Sequence, residues 1–300
     1  MSEVEVFDPR FARLVIGHAR LERLWTGARW AEGPVYVPAA KSLLWSDIPN
    51  DRVMRYDETD GSVSVFEASC GFQNGHTLDR EGRVVACLHG GRGISRLDHD
   101  GEWRMLADRF EGRRLNSPND VVVHSSGSIW FSDPTYGIDS HYEGHAAPSE
   151  IGASHVYRLD PDGTVSVAVS DLRQPNGLAF SPDESVLYVA DTGRTHDPAH
   201  PVEIVAYAMT EAGPVRRGTF ARNDADGLYD GFRVDRDGNV WTSRGRGIDV
   251  HAPDGTLIGR IPVPELVSNL SFGGRKRNRL YITAQTSLYA LYVNQHPAGW

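Results

Sequence analysis

Six polar residues recur through the chain, each just ahead of an apolar run: Glu32, Asn74, Asn119, Asn176, Asp230 and Asn269. Each lies 10 to 12 residues before the apolar centre of the run after it, at Leu44, Val84, Ile129, Leu187, Val240 and Leu280 respectively. Equal phase predicts that they converge on one point. Two carboxylates and four carboxamides in a narrow channel need partners, because buried polar groups must be hydrogen-bonded and buried charges compensated. A hard divalent cation supplies both. Ca²⁺ takes oxygen ligands in flexible geometry, and the lack of His or Cys in the set argues against a dedicated zinc site. Asn-Gly and Asp-Gly are also common turn formers, but Glu32 is not, and it shares the phase of the others.

The elements that must position these residues are short runs rich in Val, Ile, Trp and Tyr, separated by Asp-Gly and Pro-Asp-Gly turns. That pattern predicts many short antiparallel strands. One series of paired strands falls at 35–46, 76–88, 121–132, 178–190, 232–243 and 271–284; a second follows the first five at 55–66, 96–106, 158–169, 204–220 and 250–261. The sixth repeat has only residues 287–293 left, while an unpaired strand at 21–26 stands near the start. The prediction is an all-β chain, a six-bladed β-propeller with four antiparallel strands per blade, whose N-terminal strand completes the last blade and closes the ring. It forms a single domain over 1–300, with an N-terminal extension at 1–19 and a lid-like insertion at 134–154. Tight turns fall on one face; the longer connections, where function concentrates, fall on the other.

With 31 Lys+Arg against 40 Asp+Glu the formal charge is −9, and no basic stripe is interleaved with aromatics. Nucleic acid and anionic membranes are not expected partners. No signal-peptide pattern or membrane span is read, so a cytoplasmic monomer is expected, with Cys70 and Cys87 as free thiols. Other metal patterns fail. His141, Glu143 and His145 fall in a Gly/Pro-rich loop; His196 and His200 flank Pro198, which forbids a shared helix. Asp224-Ala-Asp226-Gly227 would need ligands where Arg222 and Arg233 stand. There is no Gly-x-Ser-x-Gly elbow and no phosphate loop.

Four segments, Trp30-Ala-Glu32-Gly-Pro34, Ser117-Pro-Asn119-Asp120, Pro175-Asn176-Gly177 and Asp230-Gly231-Phe-Arg-Val-Asp235, together resemble the gluconolactonase family, also called SMP-30 or regucalcin-like. Phe131-Ser-Asp-Pro-Thr-Tyr-Gly137 and Cys87-Leu-His89-Gly90 resemble its bacterial branch. The resemblance implies a six-bladed propeller that hydrolyses a small sugar lactone. It implies one divalent cation, Ca²⁺ first and Zn²⁺, Mn²⁺ or Mg²⁺ as substitutes, held by Glu32, Asn119, Asn176 and Asp230. Asp230 carries the catalytic role, as base or as nucleophile, and Glu32 is the second candidate base. Asn74, His89, Asp133, Tyr136 and Arg194 are expected to bind substrate. One position departs: the family's animal branch has Arg two residues before Asn119, where this chain has Ser117. A phosphotriester-type esterase and a noncatalytic Ca²⁺-binding propeller remain the alternatives.

Overall fold

A computed structural model describes residues 4–223 and 227–299, so the Asp224–Asp226 stretch considered above lies outside the described residues. Asp-Gly turns set the hairpins. Asp57, Asp162 and Asp254 each accept the backbone N–H two residues on, at 2.9 Å, and Gly61, Gly163 and Gly255 follow with φ of 76°, 89° and 85°.

The described residues form six antiparallel sheets of at least four strands each, and a minor two-stranded ribbon at Arg109–Phe110 and Arg113–Arg114. The sheets are the blades of a propeller. Blade 1 covers residues 31–68, blade 2 73–107, blade 3 121–169, blade 4 175–223, blade 5 232–262 and blade 6 267–292. Consecutive blades pack face to face through separate apolar clusters. Trp241 of blade 5 meets Phe272 of blade 6 edge-on at 5.7 Å, and Tyr36 of blade 1 stacks on Tyr281 of blade 6 at 5.9 Å.

Ring closure follows the sequence expectation. Glu22–Thr26 pairs antiparallel with Ser287–Tyr292, in the register Glu22↔Ala290 and Thr26↔Ser287. Glu22 also meets Arg279 of the same blade at 3.1 Å. Residues 4–19 are more than an extension: Glu5–Val6 adds a fifth strand to blade 5, and the short helix Pro9–Ala12 buries Phe11 against Trp241 and Gly259. Cys70 and Cys87 are buried free thiols. Among the described residues no helix is long and apolar enough to cross a membrane.

Candidate metal and active site

Each blade's innermost strand starts at the axis, and there the six phased residues stand. The ladders are interrupted beside them, with register shifts between Glu32 and Val35, Gln73 and His76, Pro175 and Leu178, and Val267 and Asn269. Such bulges turn a side chain out of the pleat, here toward the channel. The Gly after four of these residues is required by space. A Cβ on Gly33 would stand 1.9 Å from the Asn74 carbonyl oxygen; on Gly75, 2.5 Å from that of Asn119; on Gly177, 2.2 Å from that of Asp230; on Gly231, 2.0 Å from Cγ of Asn269. The backbones touch because they are bonded: Gly75 N–H donates to Asn119 O at 2.8 Å and Gly177 N–H to Asp230 O at 3.2 Å. The glycines let each blade press against the next at the axis.

Five of the six residues, Glu32, Asn74, Asn119, Asn176 and Asp230, line one cavity of about 180 Å³. Asn269 lies a layer deeper. Its Oδ1 accepts Leu270 N–H at 2.8 Å, and its Nδ2 is 3.5 Å from Asp120 Oδ2. Asp120, fully buried, faces Arg233 at 3.6 Å. Burial drives the Glu32 carboxyl well above the usual carboxylate range, with the charges of Asp230 and Asp120 adding to it. Asp230 is raised for the same first reason, then by Glu143 and Asp120. Among the described residues no Lys or Arg lines the cavity. The site is short of positive charge.

Its neutral groups are turned so that oxygen remains available. The Nδ2 groups of Asn74 and Asn119 lie 3.0 and 3.4 Å from His89 Nε2, and Asn176 Nδ2 donates to Thr192 Oγ1 at 3.4 Å. Asn74 Oδ1 is buried and, among the described residues, has no hydrogen-bond partner. Among the described residues no three His, Cys, Asp or Glu side chains are grouped to hold a metal, so carboxamide oxygens would have to complete a shell begun by Glu32 and Asp230. Two carboxylates and carboxamide oxygens suit a hard cation.

The insertion at 134–154 folds over this cavity. Its helical turn Tyr136–Asp139 is held by Tyr136 Oη, 2.5 Å from Thr192 Oγ1 and 2.9 Å from Thr195 Oγ1, and by Asp139, 2.8 Å from His196 Nε2. Ser117 explains its own departure from the animal branch. Fully buried, it donates to Pro134 O at 2.7 Å and accepts Gly137 N–H at 3.0 Å, fastening the insertion where an Arg side chain has no room.

Of the residues expected to bind substrate, Asn74 and Tyr136 line the cavity. Three do not. His89 is fully buried behind the carboxamides, neutral because burial lowers its pKa to about 4. Asp133 is fully buried too, with its oxygens taken by the N–H groups of Asn116 and Ser117 at 2.9 and 2.8 Å. Arg194 turns away and donates to His200 O at 3.0 Å. Glu143, set aside above with His141 and His145 as a failing metal pattern, reaches the cavity from the insertion, and Ile48, Thr195 and Leu228 line it without having been singled out. Burial, then Asp139, pushes the Glu143 carboxyl up to about 7. Its sequence signals were its place in the insertion at 134–154 and its alternation with His141 and His145.

Residues 30–286 match the family described as SMP-30/Gluconolactonase/LRE-like region. The chain belongs to this family. A gluconolactonase from Zymomonas mobilis is 32% identical, over 95% of this chain and 84% of that protein. A pentonolactonase from Haloferax volcanii is also 32% identical, over 86% of this chain and 82% of its own length. Among solved structures, a gluconolactonase from Xanthomonas campestris superposes with a TM-score of 0.91 at 41% identity, covering 97% of this chain and 95% of that one. The family resemblance read from the Glu32, Asn119, Asn176 and Asp230 segments and the propeller architecture therefore agree.

Proposed function

We propose that this chain hydrolyses the ester of a small sugar lactone with the help of one divalent cation, Ca²⁺ first, held by Glu32, Asn119, Asn176 and Asp230. The observation that carries this reading is the convergence of polar residues from five blades on one cavity, where, among the described residues, no Lys or Arg balances the buried Glu32 and the half-buried Asp230. The lactonase relatives support the substrate class. A cation bound there would supply Lewis-acid stabilisation of negative charge on the carbonyl oxygen.

The chain's own groups do the rest. Asp230 accepts a proton from the attacking water as its oxygen bonds to the acyl carbon; when the ring C–O bond breaks, the proton passes to the departing ring oxygen, so water is added across the ester. Asn74 and Tyr136 bind substrate hydroxyls. Tyr136 is pre-positioned by Thr192 and Thr195, which fixes its phenol before substrate arrives. The hydroxyl-bearing rim of Tyr136, Thr192 and Thr195 favours a polyol over an apolar phosphotriester.

The test is proton release from D-glucono-δ-lactone in weak buffer, by chelated protein and after Ca²⁺, Zn²⁺, Mn²⁺ or Mg²⁺ is restored. Hydrolysis above the spontaneous rate only with metal supports the reading. Clear metal binding without turnover of this or any related lactone favours the noncatalytic propeller.

A further inference from the structure

Glu143 is a charged side chain in the cavity wall that none of the roles above employs. It is carried by the insertion, with its side chain 23% exposed, and its Oε2 stands 3.9 Å from His89 Nδ1, beyond hydrogen-bonding distance. With the amide N–H groups of Asn74 and Asn119 directed at His89 Nε2, the ring proton sits on Nδ1 and faces Glu143. His89 thus backs the carboxylate as a neutral dipole and gives it no compensating charge. Asp230 and Asp139, the other ionisable groups acting on it, are acidic.

A divalent cation held by Glu32 and Asp230 would balance them. Glu143 is then left as the negative group of a cavity of about 180 Å³ that, among the described residues, no Lys or Arg lines. A hydroxyl can donate to this carboxylate. A phosphate, sulfonate or second carboxylate on the substrate meets it as a like charge in a confined, partly desolvated space, where repulsion is strongest. We infer that Glu143 is the specificity-determining residue of the insertion: it binds hydroxyls of neutral sugar lactones and rejects lactones that carry an anionic group. The inference rests on the lactonase reading and names the substrate class within it.

The experiment compares kcat/KM for D-glucono-δ-lactone and its 6-phosphate, with Ca²⁺ at about pH 8, where Glu143 is ionised. Wild type, Glu143→Gln and Glu143→Arg are measured. Wild type is expected to favour the neutral lactone by about 100-fold or more. Glu143→Gln should shrink that preference by about tenfold, mostly through the KM of the phosphate, and Glu143→Arg should bring it to parity or reverse it. The preference is a ratio within one preparation, so a partly unfolded variant still reports it. A wild-type ratio near one, or a ratio that neither substitution moves, overturns the inference. Wild type that hydrolyses neither lactone overturns the lactonase reading and this inference with it.

Discussion

The carbonyl oxygen of Asp230 lies 2.2 Å from the point where a Cβ on Gly177 would stand. One methyl group there must displace the segment that carries the proposed catalytic carboxylate, because the obstacle is backbone. Gly177→Ala is expected to destabilise the protein by about 1–3 kcal/mol and to weaken Ca²⁺ binding as well, read by urea unfolding and calorimetric titration. A well-folded variant with wild-type affinity would show that the axis is not close-packed as described.

Cation binding should be visible as stability. Adding Ca²⁺ to chelated protein at about 100 times its dissociation constant contributes about 2.7 kcal/mol, a rise in Tm of roughly 5 °C for a chain of this size. Glu32→Gln removes one of the two proposed carboxylate ligands and should cut affinity by about tenfold or more, with the Tm rise shrinking in step.

Asp230→Asn separates catalysis from folding. Lactone hydrolysis should fall by about 100-fold or more. The chelated variant should melt no lower than chelated wild type, since the substitution removes a half-buried carboxylate in a cavity that, among the described residues, no Lys or Arg lines. Retained turnover would dismiss Asp230 as the base.

The acidic cavity should also set a pH dependence. Burial and Asp139 raise Glu143 from 4.5 to about 7, with Asp230 of blade 5 and the neutral His89 of blade 2 also facing it. Between those values the folded chain holds a proton that the unfolded chain has released. Stability from this group is therefore full below about pH 4.5 and is lost as pH rises through about 7. In chelated protein the urea midpoint should drop from pH 5 to pH 8, and drop less in Glu143→Gln. Glu32 and Asp230 titrate in the same direction and keep part of the slope. Equal slopes in both proteins would remove Glu143 as a contributor.

What could be read from the sequence was what repeats. Glu32, Asn74, Asn119, Asn176 and Asp230 were legible because blades force equal phase on them, and the strand at 21–26 because the sixth repeat lacked one. Asn269 shared the phase yet sits a layer down, where Asp120 and Arg233 occupy the channel; phase fixes angle about the axis and not depth along it. Glu143 was read only as part of a failing pattern with His141 and His145, because its place at the site depends on Ser117, Tyr136 and Asp139 fastening an insertion with no periodicity. His89 and Asp133 are polar residues near the correct face, but whether such a group meets solvent or a backbone N–H is decided by tertiary packing. The Glu5–Val6 strand is too short to leave a pattern.

Thr26 and Ser287 are joined by a hydrogen bond across 261 residues of chain. During synthesis the strand at 22–26 must thus wait, holding unpaired backbone groups, until the blade that contains Ser287 has emerged. Blade 1, which carries Glu32, is seated beside blade 6 only at that moment. The circle of oxygen donors is therefore closed only once blade 6 has emerged, and a product stalled before that point presents a sticky strand edge with no assembled cavity.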